Sequence, residues 1–523
     1  MGGADMNRDT MLQQLHSDTL WDIVIIGGGA TGLGCAVDAT SRGLRTVLIE
    51  QADFSKGTSS RSTKLVHGGV RYLQQGDVSL VLEALHERGL LLRNAPHLIH
   101  NCSFIIPNYS WWEGPFYTIG LKVYDMMAGK LGLGPSLHLS ADEVLKKIPG
   151  LRTKSLHGGV IYHDGQFDDA RLAINLAQSC CDLGGTVINY MKCTALIKDS
   201  RGIVAGVVAI DLEKGTEYRI QAKVVINATG VWADDIKAMD CPGSKRTIVP
   251  SQGIHIVLDK EFLQSDNAIM IPHTLDGRVL FAVPWHNKVL VGTTDTPVGQ
   301  ASPEPKPLRK ELRFILNTAG RYLSKVPHKQ NIRSMFAGLR PLVAATEKKK
   351  TKELSRNHKV EVSVNGLLTI SGGKWTTYRK MAEDTINKAL LLGGFSFVPC
   401  NTNSLPIHGF SFETGNGSHL DIYGSDKEFI VKIQHSDPDL ATPLSSLLPY
   451  TGAEVVWAVS NEMARTVEDV LARRTRALFL NASASITMAP AVAAIMKKML
   501  NKNHSWEQEQ IQNFILLAKN YLP

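Results

Sequence analysis

Gly27, Gly29 and Gly32 stand in a G-x-G-x-x-G spacing, with Gly34 close behind. In that spacing the first glycine permits a tight turn and the second lets backbone approach a pyrophosphate. The third lets a helix pack closely on a strand. Ala30 and Thr31 open the helical pattern that follows, where free N–H groups and partial positive charge meet phosphate. Glu50, about twenty residues on, is placed to accept hydrogen bonds from an adenosine ribose. An acid there argues against a ribose 2′-phosphate, so FAD or NAD remain and NADP does not fit. A second chemistry-rich stretch runs from Thr58 through Ser59, Ser60, Ser62, Lys64, Leu65, His67, Gly68, Arg71 and Tyr72 to Leu73. Its hydroxyls and glycines suit contacts to phosphates. A third is Ser371-Gly372-Gly373-Lys374, a glycine turn ahead of a helical pattern and so another place to hold an anion.

The elements that must position these residues are legible around them. Trp21 to Ile26 is a short apolar, β-branched run that reads as a buried parallel strand. Ala30 to Arg42 reads as a helix stopped by Gly43, and Arg45 to Ile49 as a second buried strand. Val224 to Gly230 is a strand ending in the small residues Ala228, Thr229 and Gly230, which suits return beside the first strand and close approach to a cofactor. Leu367 to Ile370 runs into the third stretch, and Trp375 to Leu392 reads as a long helix. Val78–Leu98 and Phe167–Leu183 have helical spacing. Residues 203–210 and 217–221 alternate like a hairpin. Between 240 and 365 the pattern is mostly β, at 254–258, 279–283, 288–292 and 360–364, which suggests an antiparallel sheet.

Residues 1–20 read as a loose tail with room for a short helix at its end. After Cys400 strands vanish from the pattern. Helical spacing recurs at 419–435, 451–459, 461–472, 488–501 and 505–521, which predicts a C-terminal all-α region joined by the loop 401–414. The expected organisation is therefore α/β. A Rossmann-like dinucleotide region uses segments near 21–100, 155–235 and 366–395. A substrate region uses 101–154 and 236–365, and a helical cap spans 401–523. The segment Trp111–Lys130 is amphipathic and aromatic-rich, and reads either as a core-facing helix or as a surface that dips into a bilayer interface. Glu347–Lys352 reads as a solvated loop.

The chain has 523 residues with a net charge of +8 and a pI near 9.0. That balance fits an anionic substrate or an acidic membrane surface. No RNA- or DNA-binding signature accompanies it, so nucleic acid is excluded as the expected partner. The seven cysteines form no C-x-x-C pair, which predicts reduced thiols rather than a disulfide or metal framework. No apolar run reaches the roughly 18–20 residues of a transmembrane helix. The first twenty residues carry neither a signal-peptide core nor the arginines of a mitochondrial transit peptide. A cytoplasmic protein whose membrane contact is peripheral is expected.

The motifs together resemble one family, the FAD-dependent, respiratory, quinone-linked glycerol-3-phosphate dehydrogenases. The resemblance is carried by I-I-G-G-G-A-T-G-L-G at 25–34, T-S-S-R-S-T-K-L-V-H-G-G-V-R-Y-L at 58–73 and N-A-T-G-V-W-A at 227–233. It continues through V-G-T-T-D at 291–295, G-L-R-P-L at 338–342, S-G-G-K-W-T-T-Y-R-K at 371–380 and V-E-D-V-L-A-R-R-T at 467–475. It extends from about residue 20 to the end, without the calcium loop of animal members or the long mid-chain insertion of the oxidase branch. Arg61 stands where small residues are usual.

The resemblance implies non-covalent FAD and hydride removal from C2 of sn-glycerol 3-phosphate. A membrane quinone would take the electrons at the inner face of the cell membrane, with a homodimer possible. It implies a phosphate grip by Arg340 and Arg379, helped by Arg71, Tyr72 and Tyr378, because a guanidinium fork binds phosphate bidentately. His67 and His255 are alternative acceptors for the C2 hydroxyl proton, with Lys374 a third candidate. Gly372 and Gly373 would meet reduced-flavin charge, and Asp295 would fix its turn or the ribityl chain.

Overall fold

The computed structural model describes residues 6–15, 20–70, 77–272, 274, 278–344, 358–412 and 417–523. Arg71, Tyr72 and the Glu347–Lys352 segment lie outside the described residues.

Trp21–Ile26 forms a parallel strand whose Ile23, Val24 and Ile25 are fully buried. Burial of side chains of this size contributes about 1.5–3 kcal/mol each before entropy is charged. It pairs in parallel with Thr46–Ile49 on one side and Glu217–Asn227 on the other. Thr186–Ile188 extends the sheet beyond the first, and Leu368–Gly372 beyond the second. His358–Val362 closes the latter edge antiparallel. The order reverses at the first strand, so a crevice opens at the carboxyl ends of Trp21–Ile26 and Glu217–Asn227. Helix Ala30–Ser41 packs against helices Asp169–Asp182 and Tyr378–Leu392. Glu217–Asn227 is one continuous strand. Its first half pairs with Val204–Asp211 and its second half reaches the crevice.

A second sheet brings Ile248–Asp259 together with Ser334–Val343, Lys288–Gly292 and Leu280–Trp285 in antiparallel pairs. It continues through Ala268–Ile271 to Ile99–Asn108, and that one junction is parallel. Gly158–Phe167, expected in the dinucleotide region, instead pairs along Ile99–Asn108 in this second sheet. His358–Val362 departs in the other direction, into the dinucleotide sheet. The short strand Leu65–Val66 pairs with Gly158–Phe167 and anchors the Thr58–Gly68 loop between the two sheets.

The C-terminal region is helical except for a small hairpin, Pro443–Ser445 with Leu448–Thr451, so the all-α expectation is corrected there. Helix Ala482–Met499 starts earlier than its spacing suggests, because Asn481 caps it and Pro490 sits inside it. A π-helical stretch, Asp469–Arg474, drives Arg473 and Arg474 into the seam with the dinucleotide region. Both guanidiniums hold Asp53, at 2.5 Å from Arg473 Nε and 2.7 Å from Arg474 Nη1. Beside it Arg476 binds Asp169 at 2.9 Å. The predicted tail is not loose over residues 6–15. Helix Arg8–Leu15 buries Met11, Leu12 and Leu15, and Arg8 binds Asp211 at 2.8 Å.

His408 clasps the same two regions at another point. It lies between Asp182, at 2.6 Å, and Asp426, at 3.0 Å. Burial alone would depress its pKa; the hydrogen bonds to both carboxylates outweigh that and raise it to about 9. A pKa raised on folding contributes stability that is complete below the unfolded value and lost as pH climbs through the folded one. His408→Gln is therefore expected to cost about 1–2 kcal/mol at pH 6, discounted for solvent screening. The cost should shrink toward zero by pH 10 in denaturant titrations at the two pH values.

Candidate active site

The crevice is a cavity of about 510 Å³. Its wall brings together thirteen of the residues singled out from the sequence. Gly27, Gly29, Ala30, Thr31 and Glu50 come from the first turn and strand. Thr58 and Ser59 come from the loop, Ala228, Thr229 and Gly230 from the returning strand, and Gly372, Gly373 and Lys374 from the last turn. These four segments are distant in sequence and meet only because the parallel strands end on one line.

The local geometry explains the residue types. A Cβ at Gly27 would sit 2.7 Å from the Ala228 carbonyl oxygen, and one at Gly32 would run into the Gly27 carbonyl. Both positions must be glycine for helix and strands to close up. Gly372 and Gly373 have φ of 76° and 77°, left-handed values that turn the chain under the cavity. Glu50 is held by the backbone: Gly28 N donates to Oε2 at 2.6 Å and Ala52 N to Oε1 at 2.9 Å. Burial pushes its pKa up, and those two N–H donors oppose the push. Ser59 Oγ accepts from Ala30 N at 2.9 Å, so the loop caps the helix start with a hydroxyl.

Several expected ligands face elsewhere. Arg379 does not reach the cavity. Its guanidinium is taken by Glu87 at 2.6 Å and Glu383 at 2.8 Å, which makes it a brace between helices Val78–Asn94 and Tyr378–Leu392. Tyr378 is buried against Gly34 of helix Ala30–Ser41 and edge-on to Trp375. Lys64 is fully buried, with Nζ 2.7 Å from both Asp169 and the Ser60 carbonyl. Ser62 also serves Asp169, Leu65 lies in an apolar cluster, and Gly68 is pressed against Leu85 and Tyr124. Ser60, Ser62, Lys64, Leu65 and Gly68 therefore brace the loop rather than forming the cavity wall, and the half-buried His67 is not among the wall residues. The His67 carbonyl accepts from Thr376.

Arg340 stands next to the wall residue Pro341. Its Nη1 donates to the Thr294 carbonyl at 3.0 Å and its Nη2 to Thr293 Oγ1 at 3.1 Å. Asp295 lies 3.4 Å away and also holds Ser251, so Asp295 fixes the arginine and its turn. A side chain at Gly253 would collide with this guanidinium. On the same strand His255 is buried, stacked on Phe336 at 5.1 Å, with Nε2 2.9 Å from Thr63 Oγ1. Burial first, then the cations Lys64 and Arg340, hold its pKa well below the usual imidazole value. Arg61, unexplained in the sequence, reaches Glu304 at 2.6 Å. Tyr521 shares that carboxylate, which ties the loop to the far C-terminus.

Other wall residues were not singled out as ligands from the sequence. They include Met191 to Cys193, Trp232, Asp235, Ile236 and Met239. Only the strand ending at Asn227, which places Trp232 just past the crevice, could have pointed to some of them.

Residues 22–379 match the family of FAD dependent oxidoreductases, and residues 368–511 match the C-terminal domain of alpha-glycerophosphate oxidase. The mitochondrial glycerol-3-phosphate dehydrogenase of Macaca fascicularis is 39% identical over 99% of this chain and 75% of its own length. That of Schizosaccharomyces pombe is 36% identical, over 99% and 89%. The chain belongs to the FAD-dependent glycerol-3-phosphate dehydrogenases. A crystal structure of glycerol-3-phosphate dehydrogenase from Bacillus halodurans, complexed with FAD, superposes with a TM-score of 0.81. It is 28% identical and covers 100% of this chain and 99% of that one. For this glycerol-3-phosphate dehydrogenase the open choice between FAD and NAD closes on FAD, and the glycine-cleared crevice with its two turns fits that group.

Proposed function

We propose that the enzyme oxidises sn-glycerol 3-phosphate at C2 to dihydroxyacetone phosphate and that a membrane quinone takes the electrons. The observation that carries this reading is the pairing of a cleared, partly solvent-reached arginine, Arg340, with the buried neutral His255 beside the cofactor crevice. FAD, when bound, accepts the C2 hydride at N5 and passes the electrons on. Arg340 grips the substrate phosphate through its planar fork. His255, held unprotonated by burial and two cations, takes the C2 hydroxyl proton. Lys374 stands in the wall close to the Gly372–Gly373 turn, where its charge favours the developing C2 oxyanion.

A quinone acceptor requires contact with a bilayer. Among the described residues no helix is long and apolar enough to cross a membrane. Helix Glu113–Ala128 supports peripheral docking instead. Phe116 is 52% exposed, Ile119 68% and Met126 79%, a row at helical spacing on one face, and Trp111, 82% exposed, stands in the turn just before the helix. Lys122 and Lys130 flank it, which suits anionic lipid on the inner face of the cell membrane. Replacing Trp111 and Trp112 together with Ser is expected to lower co-sedimentation with anionic vesicles at least about fivefold while FAD content stays full. Unchanged co-sedimentation removes this face from the reading.

The match of residues 368–511 to an oxidase domain favours one second reading, transfer to O₂. One anaerobic experiment separates the two. Flavin bleached by sn-glycerol 3-phosphate and restored by a short-chain quinone supports the dehydrogenase. Bleaching restored only by air moves the acceptor to O₂, and no bleaching in FAD-loaded protein rejects the substrate.

A further inference from the structure

Lys64 is one of the few fully buried lysines that a domain tolerates, and the crevice does not use it. Its backbone is left-handed, with φ of 63°. Its Nζ is fastened to the Ser60 carbonyl and to Asp169, each at 2.7 Å. The same ammonium lies 5.4 Å from the ring centre of Phe336 and of Phe479, and 5.3 Å from that of Trp285. Phe336 is the ring on which His255 stacks, with planes only 20° apart. The residue before Lys64, Thr63, makes the 2.9 Å contact to His255 Nε2. One buried lysine therefore touches both supports of the histidine, the hydroxyl that orients it and the ring that backs it.

We infer that Lys64 is a positioning residue for the reaction: it seats Thr63 against His255 and sets a cation behind the Phe336 ring, so that His255 stays an uncharged proton acceptor. This rests on the proposed role of His255. Two cations act on His255. Lys64 comes from the loop and Arg340 from strand Ser334–Val343, and both disfavour a proton on His255. Asp169, Asp168 and Arg476 stand behind Lys64, and Asp295 stands behind Arg340. Burial lowers the Lys64 pKa to about 7, with Asp169 opposing the fall and Arg476 adding to it. The cation is thus present below about pH 7, the range in which an imidazole of ordinary pKa would take up its proton. Above that range His255 needs no such help.

The reductive half-reaction tests this. In FAD-loaded Lys64→Met, the acid limb of the flavin-bleaching rate against pH is expected to move up by about one unit. Lys64→Arg keeps the limb in place. Thr63→Val slows the plateau without moving the limb. An unmoved limb in Lys64→Met overturns the inference. A titration of ¹³C-labelled histidine by NMR, assigned with His255→Asn, covers the case in which Lys64→Met does not hold FAD. In the native protein His255 is expected to take up its proton well below the ordinary imidazole range, and in Lys64→Met at higher pH; equal titration in the two overturns the inference. That measurement needs no substrate, so failure of sn-glycerol 3-phosphate to bleach the native flavin rejects the reaction while leaving the role of Lys64 to be judged by the titration.

Discussion

Arg340→Ala is expected to lower kcat/KM for sn-glycerol 3-phosphate roughly a hundredfold, a loss of about 3 kcal/mol for removing one partner of a desolvated ion pair. FAD content should stay at the native level, because Arg340 lies beside the crevice and not in its wall. The loss should fall mainly on KM if the phosphate is held equally in ground and transition states. It should fall on kcat as well if the grip sets the angle of C2 to the flavin. Arg340→Lys should recover little, since an ammonium cannot reproduce the fork that now spans the Thr294 carbonyl and Thr293 Oγ1. Steady-state kinetics of the three proteins with a short-chain quinone settle the matter. A kcat/KM for Arg340→Ala within threefold of native would remove Arg340 from the substrate site.

Asp53→Ala carries the largest expected effect on stability. Asp53 is fully buried and receives Arg473 and Arg474 together. Deleting it leaves two buried cations short of a counter-charge, which costs about 3–5 kcal/mol. The native carboxylate should resist acid. Burial would raise its pKa, but Arg474 and Arg473 outweigh burial and lower it to about 2. A pKa depressed on folding gives stability that is present above the unfolded value and lost as pH falls through the folded one. The seam should therefore persist through mild acid and fail only between about pH 4 and 2. Thermal unfolding should show Asp53→Ala melting well below native, with the C-terminal region released first in limited proteolysis. A native melting temperature would mean that the surrounding Glu468 and Asp469 carry the seam without it.

The glycine turn and the strands that present it were legible because they depend on short-range rules. Gly32 is forced by the Gly27 carbonyl within one βαβ unit, Gly27 has a φ of 112° that favours glycine, and Ile23 to Ile26 are marked by continuous burial. The returning strand and the Gly372–Gly373 turn follow the same rules, and those stretches of the crevice wall were therefore readable. Arg379 was not. Its motif placed it correctly at a helix start, but its partner Glu87 lies 292 positions away, and nothing local says that helix Val78–Asn94 passes there. Lys64 and Ser62 were misread in the same way, because Asp169 comes from another helix. The strand Gly158–Phe167 was missed since its ten residues mix glycines and polar groups, and only pairing with Ile99–Asn108 makes them a strand. The R-R-T-R run at 473–476 carries no local sign of its burial. Its burial depends on three carboxylates brought from the opposite region of the fold.

Both oxygens of the Glu50 carboxylate are already engaged by the chain itself, one on Gly28 and one on Ala52. The residue whose position suits a ribose contact is thus also the residue that ties the glycine turn to the strand end. Such double duty limits how this enzyme can be retooled. A change at position 50 that aimed only at a different ribose would unfasten the very loop on which any dinucleotide must lie. A carrier that needed another residue at position 50 would first require the turn to be fastened from elsewhere.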